Sequence, residues 1–169
     1  MDFITHISTF KSQNICCLNS FCDILIIKIQ KGLIKMDNCI FCKIIAGEIP
    51  SAVIFEDDEF KAILDRFPSN IGHVLILPKK HYANIFDIDE EVAGRLFKLA
   101  VKIAKNIKEV LGIEAMNIIQ NNGSLAGQTV HHFHLHLIPR YENDSVQVKW
   151  KQLDLTDEQI SEIQNKLKI

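Results

Sequence analysis

The chain has 169 residues, 47% of them apolar, and a formal net charge of −2. That suits one compact domain and gives no electrostatic case for a nucleic-acid or membrane-surface ligand. No apolar run reaches the roughly 18 residues of a transmembrane helix, and five cysteines in a chain of this size do not read as a disulfide scaffold, so a reducing, cytoplasmic setting is expected.

Residues 1–35 differ in composition from the rest of the chain. They hold Cys16, Cys17 and Cys22, lack proline, have no glycine before Gly32 and keep no sustained helical period. The apolar run from Phe21 to Ile29 is too short for a membrane span and is broken by Lys28. This segment is expected to be a disordered extension or an over-long gene start, with the native protein beginning at Met36 and one domain over residues 36–169. From Ile40 to Ala46 the pattern is a short helix stopped by Gly47, with Pro50 beyond it. Val53 to Phe55 and Phe60 to Leu64 are β-rich runs around the acidic turn 56–59, and His73 to Leu77 is a third strand ended by Pro78. Asp87 followed by Glu90 reads as a capping-box start. The helix it opens runs to about Leu111, with Val92, Leu96, Leu99, Ile103, Ile107 and Val110 on its apolar face and Gly112 as its stop. Met116 to Gln120 and Val130 to Ile138 are the fourth and fifth strands. Thr156 with Gln159 caps a last helix to Leu167. The order predicts an α+β fold, an antiparallel sheet of about five strands covered by one long helix.

His132, His134 and His136 alternate with Phe133, Leu135 and Leu137. In an extended strand, side chains two apart share a face. The spacing therefore predicts a row of imidazoles, neighbours ~7 Å apart, with the apolar residues buried on the other face. The alternative is a chance cluster on a half-exposed strand, or an unspecialised metal patch. The stretch Asn121-Asn122-Gly123-Ser124-Leu125-Ala126-Gly127-Gln128-Thr129 runs straight into this row. Its two glycines and small polar side chains let backbone N–H groups approach an anion, although a plain turn would use the same residues.

His132-Phe133-His134-Leu135-His136-Leu137-Ile138 resembles the histidine triad (HIT) signature. The matching stretches Gly127-Gln128-Thr129, Pro139-Arg140 and others upstream extend the resemblance over about Cys39 to Tyr141. The resemblance implies a HIT-like fold of the Hint and bacterial branch. It implies a catalytic pair in which His134 is the nucleophile, forming a nucleotidyl-histidine that water hydrolyses, with His136 near the phosphate and leaving group. Asn121, Gln128 and Thr129, in the loop with Gly127, match the family's phosphate contacts. Asp65 matches the acidic residue that binds the ribose hydroxyls, and His73, before Pro78-Lys79-Lys80-His81, lies at the site's edge. Ile40, Phe41, Ile44, Ile49 and Ile63 match an apolar slot for the base, each with plain core as its alternative. His131 departs from the signature and is expected to face away from the row.

Cys39-Ile40-Phe41-Cys42 is half of a zinc site. Some members and related nucleotidyltransferases complete such a site with a distal histidine and the first histidine of the signature, which maps onto Cys39, Cys42, His81 and His132. The alternative is two buried free thiols, with His132 hydrogen-bonded within the row. The leading functional expectation is a hydrolase that splits a P–N or related bond on a purine nucleoside monophosphate, with a nucleotide such as AMP bound. The alternatives are a dinucleoside polyphosphate hydrolase and a nucleotide-binding interaction protein with incidental catalysis. A homodimer through the 87–111 helix and the 115–120 strand is expected from the resemblance and from the unpaired edges of a small sheet.

Overall fold

The computed structural model describes residues 38–169, so the expectations for residues 1–35 lie outside the described residues. A short helix α1 (Ile40–Ile45) leads into an antiparallel sheet of β1 (Val53–Glu56), β2 (Phe60–Leu64), β3 (Val74–Pro78), β4 (Ala115–Ile119) and β5 (Leu135–Arg140). The strand order is β1-β2-β3-β5-β4. The long helix α2 (Glu90–Leu111) crosses between β3 and β4, and α3 (Asp157–Leu167) closes the chain. This is the α+β architecture expected from the order of elements.

Local chemistry explains most boundaries. In the β1–β2 turn, the Asp57 carboxylate accepts the N–H groups of Glu59 and Phe60 at 2.9 and 2.7 Å. The cap of α2 is Asp89, whose side chain accepts from Glu91 and Val92, and not the expected Asp87. The Asp87 carboxylate instead accepts the Ala83 N–H at 2.7 Å, bracing the approach loop. Gly112 ends the helix at φ 64°, a conformation that costs glycine little. Leu96, Leu99, Ala100, Ile103 and Ile107 form the buried stripe of α2, whereas Val110 is 69% exposed. Just past the cap, Ile113 fills that end of the core in its place. Thr156 and Gln159 make both hydrogen bonds of a capping box on α3, a helix with no buried residue.

The sheet separates two apolar clusters. On the α2 side, Phe60, Ala62, Val74 and Ile76 meet Phe133, Leu135 and Leu137 and the helix stripe. On the other side, Ile63, Leu75 and Leu77 meet Cys39, Phe41 and Ile44 of the α1 region. Alternation along β2, β3 and the histidine strand thus sends one set of residues to the core and leaves the other beneath α1.

The fifth strand begins later than its sequence pattern. Its ladder with β3 runs Ile76↔Leu135, Leu75↔His136 and Val74↔Leu137, so His132 and His134 precede the paired strand. Beyond this point Pro78 has no N–H to offer, and its carbonyl is taken by the His132 ring at 2.9 Å. The Phe133 N–H turns to the Tyr82 carbonyl at 2.6 Å instead. The chain leaves the ladder but keeps its two-sided alternation.

Gly72 sets the entry to β3. It lies at φ +81°, and a Cβ there would come within 2.5 Å of Leu111 Cδ1 and 3.3 Å of Pro139 Cγ. Gly72→Ala is expected to destabilise the protein by about 1–3 kcal/mol from the left-handed conformation alone. Equilibrium denaturant unfolding measures this, and an unchanged midpoint would contradict the packing described for this turn.

Candidate active site

His132, His134 and Phe41 form the centre of the site. The His134 Nδ1 lies 2.6 Å from the His132 carbonyl oxygen. A carbonyl only accepts, so Nδ1 carries the proton and Nε2 keeps its lone pair. Phe41 packs edge-on against the His134 ring with centroids 5.0 Å apart. The His134 and His136 rings lie closer than the strand spacing of their backbones, with centroids at 4.8 Å. Burial holds the His134 imidazole below its usual pKa and so keeps it neutral, the form with a free lone pair.

A chain of hydrogen bonds fixes His136 in the same way. The Ser69 N–H donates to His73 Nδ1 at 3.1 Å, and His73 Nε2 lies 2.9 Å from His136 Nδ1. Since Ser69 can only donate there, the His73 proton sits on Nε2 and is given to His136 Nδ1. His136 Nε2 then carries the remaining proton. Burial, followed by the neighbouring His134 and His73, lowers His136 to about 4, so it is neutral near pH 7. His73 is also lowered, chiefly by burial. Asp65 accepts the Phe67 N–H at 2.9 Å and brings its other oxygen to 3.5 Å from His73 Nδ1. Asp65, His73 and His136 lie close enough to suggest a metal group, but His73 turns its two nitrogens to opposite neighbours. The arrangement is a hydrogen-bonded chain and not a convergent donor set.

Cys39, Cys42, His81 and His132 place one ligand atom each within 4.8 Å of one another. His132 Nδ1 lies 3.5 Å from each sulfur and 3.2 Å from His81 Nδ1, and Cys42 Sγ lies 3.3 Å from His81 Nδ1. His132 Nε2–H is given to the Pro78 carbonyl, which leaves the Nδ1 lone pair facing both thiols. This is the outer hydrogen bond expected behind a ligating imidazole. Two sulfurs and two imidazoles suit a tetrahedral zinc ion. Burial and the adjacent Cys39 push the Cys42 thiol up to about 12, and burial lowers His132 to about 4.

The 121–129 loop is tied by its own residues. Gly123 and Gly127 lie at φ +85° and +84° around the 3-10 turn Ser124–Ala126. Gln128 is 3% exposed. Its oxygen accepts the Gly123 N–H at 2.8 Å, and its nitrogen donates to the Ala83 and Val130 carbonyls at 2.7 and 3.0 Å. The amide expected to face a phosphate is turned inward, where it shapes the loop and binds it to residue 83. Asn122, which the sequence pattern did not single out, adds a bond from the Ile85 N–H at 2.7 Å. Thr129 is exposed and Asn121 half-buried, with the Asn121 side-chain nitrogen beside Gly127.

Of the apolar slot residues, Phe41, Ile44 and Ile63 are buried together and Ile49 packs against them. Ile40 stands exposed at the start of α1. His131 is exposed, outside the row. Sequence reasoning missed Ser69, whose contribution is a backbone N–H that no side-chain pattern can mark.

Comparison with known proteins places this geometry. The HIT domain family model matches residues 46–143. An uncharacterized HIT-like protein of Methanocaldococcus jannaschii is 46% identical over 128 residues, covering 74% of this chain and 98% of that protein. The adenosine 5'-monophosphoramidase of Schizosaccharomyces pombe is 37% identical, covering 78% of this chain and 99% of its own. The crystal structure of a HIT family protein from Bacillus anthracis superposes with a TM-score of 0.73 at 44% identity, over 78% of this chain and 95% of that one. A zinc-bound histidine triad family protein from Mycobacterium smegmatis gives 0.63 at 35% identity, over 69% and 84%. With its histidine row, its sheet and these likenesses in agreement, the chain belongs to the HIT domain family.

Proposed function

We propose that this protein is a nucleotidyl hydrolase that cleaves a P–N or related bond on a purine nucleoside monophosphate through a nucleotidyl-histidine intermediate on His134. The observation that carries this reading is the 2.6 Å approach of His134 Nδ1 to the His132 carbonyl, which leaves Nε2 as the nucleophilic atom. The Schizosaccharomyces pombe relative, a phosphoramidase of adenosine monophosphate, has an activity of the same class. His134 Nε2 attacks phosphorus, and the P–N bonding pair departs on the amine nitrogen, which takes up a proton from water. Water then attacks phosphorus, the bond to the imidazole breaks, and the nucleoside monophosphate leaves with His134 neutral again. His136, held neutral, offers its Nε2–H as a donor to the phosphoryl oxygens. Asp65 suits a ribose diol because its carboxylate has acceptor capacity beyond the Phe67 N–H. The loop of Asn121, Gly127 and Thr129, shaped by Gln128, borders the phosphate, and Phe41, Ile44, Ile49 and Ile63 with Ile40 border the base. His134→Asn is expected to abolish turnover while nucleotide binding persists. His136→Asn is expected to cost about 10²-fold, the usual scale for one donor to a developing oxyanion. Steady-state turnover of an adenosine phosphoramidate and mass analysis of rapidly quenched protein check both, and an adduct outside residues 132–136 would overturn the mechanism.

Zinc fits Cys39, Cys42, His81 and His132 in donor chemistry and in the orientation of His132. When bound there it cross-links α1, the loop after β3 and the histidine strand, a structural role. Protein prepared without an affinity tag is expected to carry about one zinc per chain. Cys42→Ser should lose the metal and melt earlier. A metal-free protein with the same melting curve as its metal-loaded form would remove zinc from the account.

The proposed assembly is a homodimer. Among the described residues β4 is an edge strand, paired only with β5. Val101, Ala104, Ile113, Met116 and Ile118 line an apolar groove between it and α2. An open edge beside an apolar groove favours pairing with a second copy. A cytoplasmic protein suits the free thiols of Cys39 and Cys42, and no described helix is long and apolar enough to cross a membrane. Sedimentation at micromolar concentration should give twice the chain mass; a monomer would refute the dimer.

A further inference from the structure

Outside the histidine row, Asp144, just beyond β5, carries a heavily hydrogen-bonded carboxylate. Its side chain is 6% exposed. Arg140 grips it with two nitrogens, Nε to Oδ2 at 2.8 Å and Nη2 to Oδ1 at 2.7 Å. The N–H groups of Tyr141 and Val146 add bonds at 2.9 and 3.1 Å. A further donor is Asn70, whose side-chain nitrogen reaches Asp144 Oδ2 at 2.9 Å and the Pro139 carbonyl at 3.1 Å. Asn70 sits in the loop between β2 and β3, 74 residues away in sequence. That loop carries Ser69, the donor to His73 Nδ1. The Asn70 carbonyl also accepts the His73 N–H at 3.1 Å, and Tyr141 Oη–H donates to the Ile71 carbonyl at 3.1 Å.

These contacts close a ring. His136 and Arg140 lie on the same strand, Arg140 holds Asp144, Asp144 holds Asn70, and the adjoining Ser69 N–H fixes His73, which returns to His136 at 2.9 Å. We infer that Asn70 and Asp144 are positioning residues for His136. They hold the Ser69 N–H on His73 Nδ1, and so select the tautomer in which His136 presents Nε2–H to the phosphoryl group. The direction of the His73–His136 bond follows from one backbone amide, which cannot accept, with the Asp65 carboxylate at the longer distance of 3.5 Å from the same nitrogen. If the loop drifts, Nδ1 of His73 loses its backbone donor, the Nδ1–H tautomer becomes available, and His136 no longer has a fixed partner. A neutral imidazole exchanges tautomers readily unless a neighbour decides between them, and misplacement of about 1 Å at a reacting site can cost of the order of 10²-fold.

This inference rests on the nucleotidyl-transfer reading for its consequence in rate, but the tautomers can be read without turnover. In protein labelled with nitrogen-15 at histidine, wild type is expected to show His73 and His136 as single Nε2–H tautomers. Asn70→Ala and Asp144→Asn should each shift both rings towards mixed tautomers. The same variants should lower kcat by roughly tenfold to a hundredfold while leaving KM within about threefold, because the ribose and base contacts remain. An Nδ1–H signal for His136 in wild type would overturn the inference without any variant. So would Asn70→Ala protein that keeps both single tautomers, or loses them with kcat unchanged. If the tautomers behave as expected but His134→Asn still turns over, the proposed reaction fails while the positioning of His136 stands.

Discussion

The hydrogen bond from His134 to the carbonyl of His132 is the contact on which the site depends. It requires the His132 carbonyl to stay out of the sheet ladders, since a ladder bond would compete for it. The structure meets the requirement because both ladders of the last strand begin after His134, the one with β3 at Leu135 and the one with β4 at His136. The strand that carries the row is therefore part ladder and part free edge. The free part is braced from both sides, by Phe133 in the helix-side core and by His132 on the Pro78 carbonyl.

A backbone group chooses the tautomer of each imidazole in the row, directly or through one intervening ring. Pro78 decides His132, His132 decides His134, and Ser69 decides His136 by way of His73. Main-chain groups have a fixed sense, donor or acceptor, so they orient a ring more reliably than another titrating side chain would. Burial adds to this by keeping the rings uncharged. Among the described residues no buried side-chain nitrogen or oxygen lacks a partner, as a polar cluster set against an apolar sheet requires.

The division of the sheet into two faces serves both stability and chemistry. The α2 stripe buries Leu96, Leu99, Ala100, Ile103 and Ile107 against one face, each large side chain contributing about 1.5–3 kcal/mol of burial. That leaves the other face free for the smaller cluster around Phe41 and for the imidazoles. Lys61 helps to seat α1 there: from β2, largely buried, it donates to the Ile44 carbonyl at 3.3 Å and pairs with Glu56 at 3.2 Å. The apolar cluster proposed to border the base, two of the candidate zinc ligands and the partner ring of His134 all depend on that seating, because α1 and its cap supply Phe41, Ile44, Cys39 and Cys42.

Short-range pattern determined much of this protein. The period of two through His132 to Leu137 assigned residues to opposite faces, the 3.6-residue stripe of α2 marked its buried side, and Thr156 with Gln159 announced a capping box, because each depends on residues a few positions apart. The resemblance then marked Cys39, Cys42, His81 and His132, which the fold brings within reach across up to 93 residues. Other features were decided only in three dimensions. The β3 ladder stops before His134 because Pro78, which the register would set opposite Phe133, has no N–H to continue it. Gln128 turns inward because Ala83 and Val130 offer carbonyls there. Asn70 meets Asp144 because the β2–β3 loop folds over the end of β5. A side chain's choice between facing a ligand and closing a loop depends on which backbone groups lie within about 3 Å of it, and for these residues those groups come from distant parts of the chain.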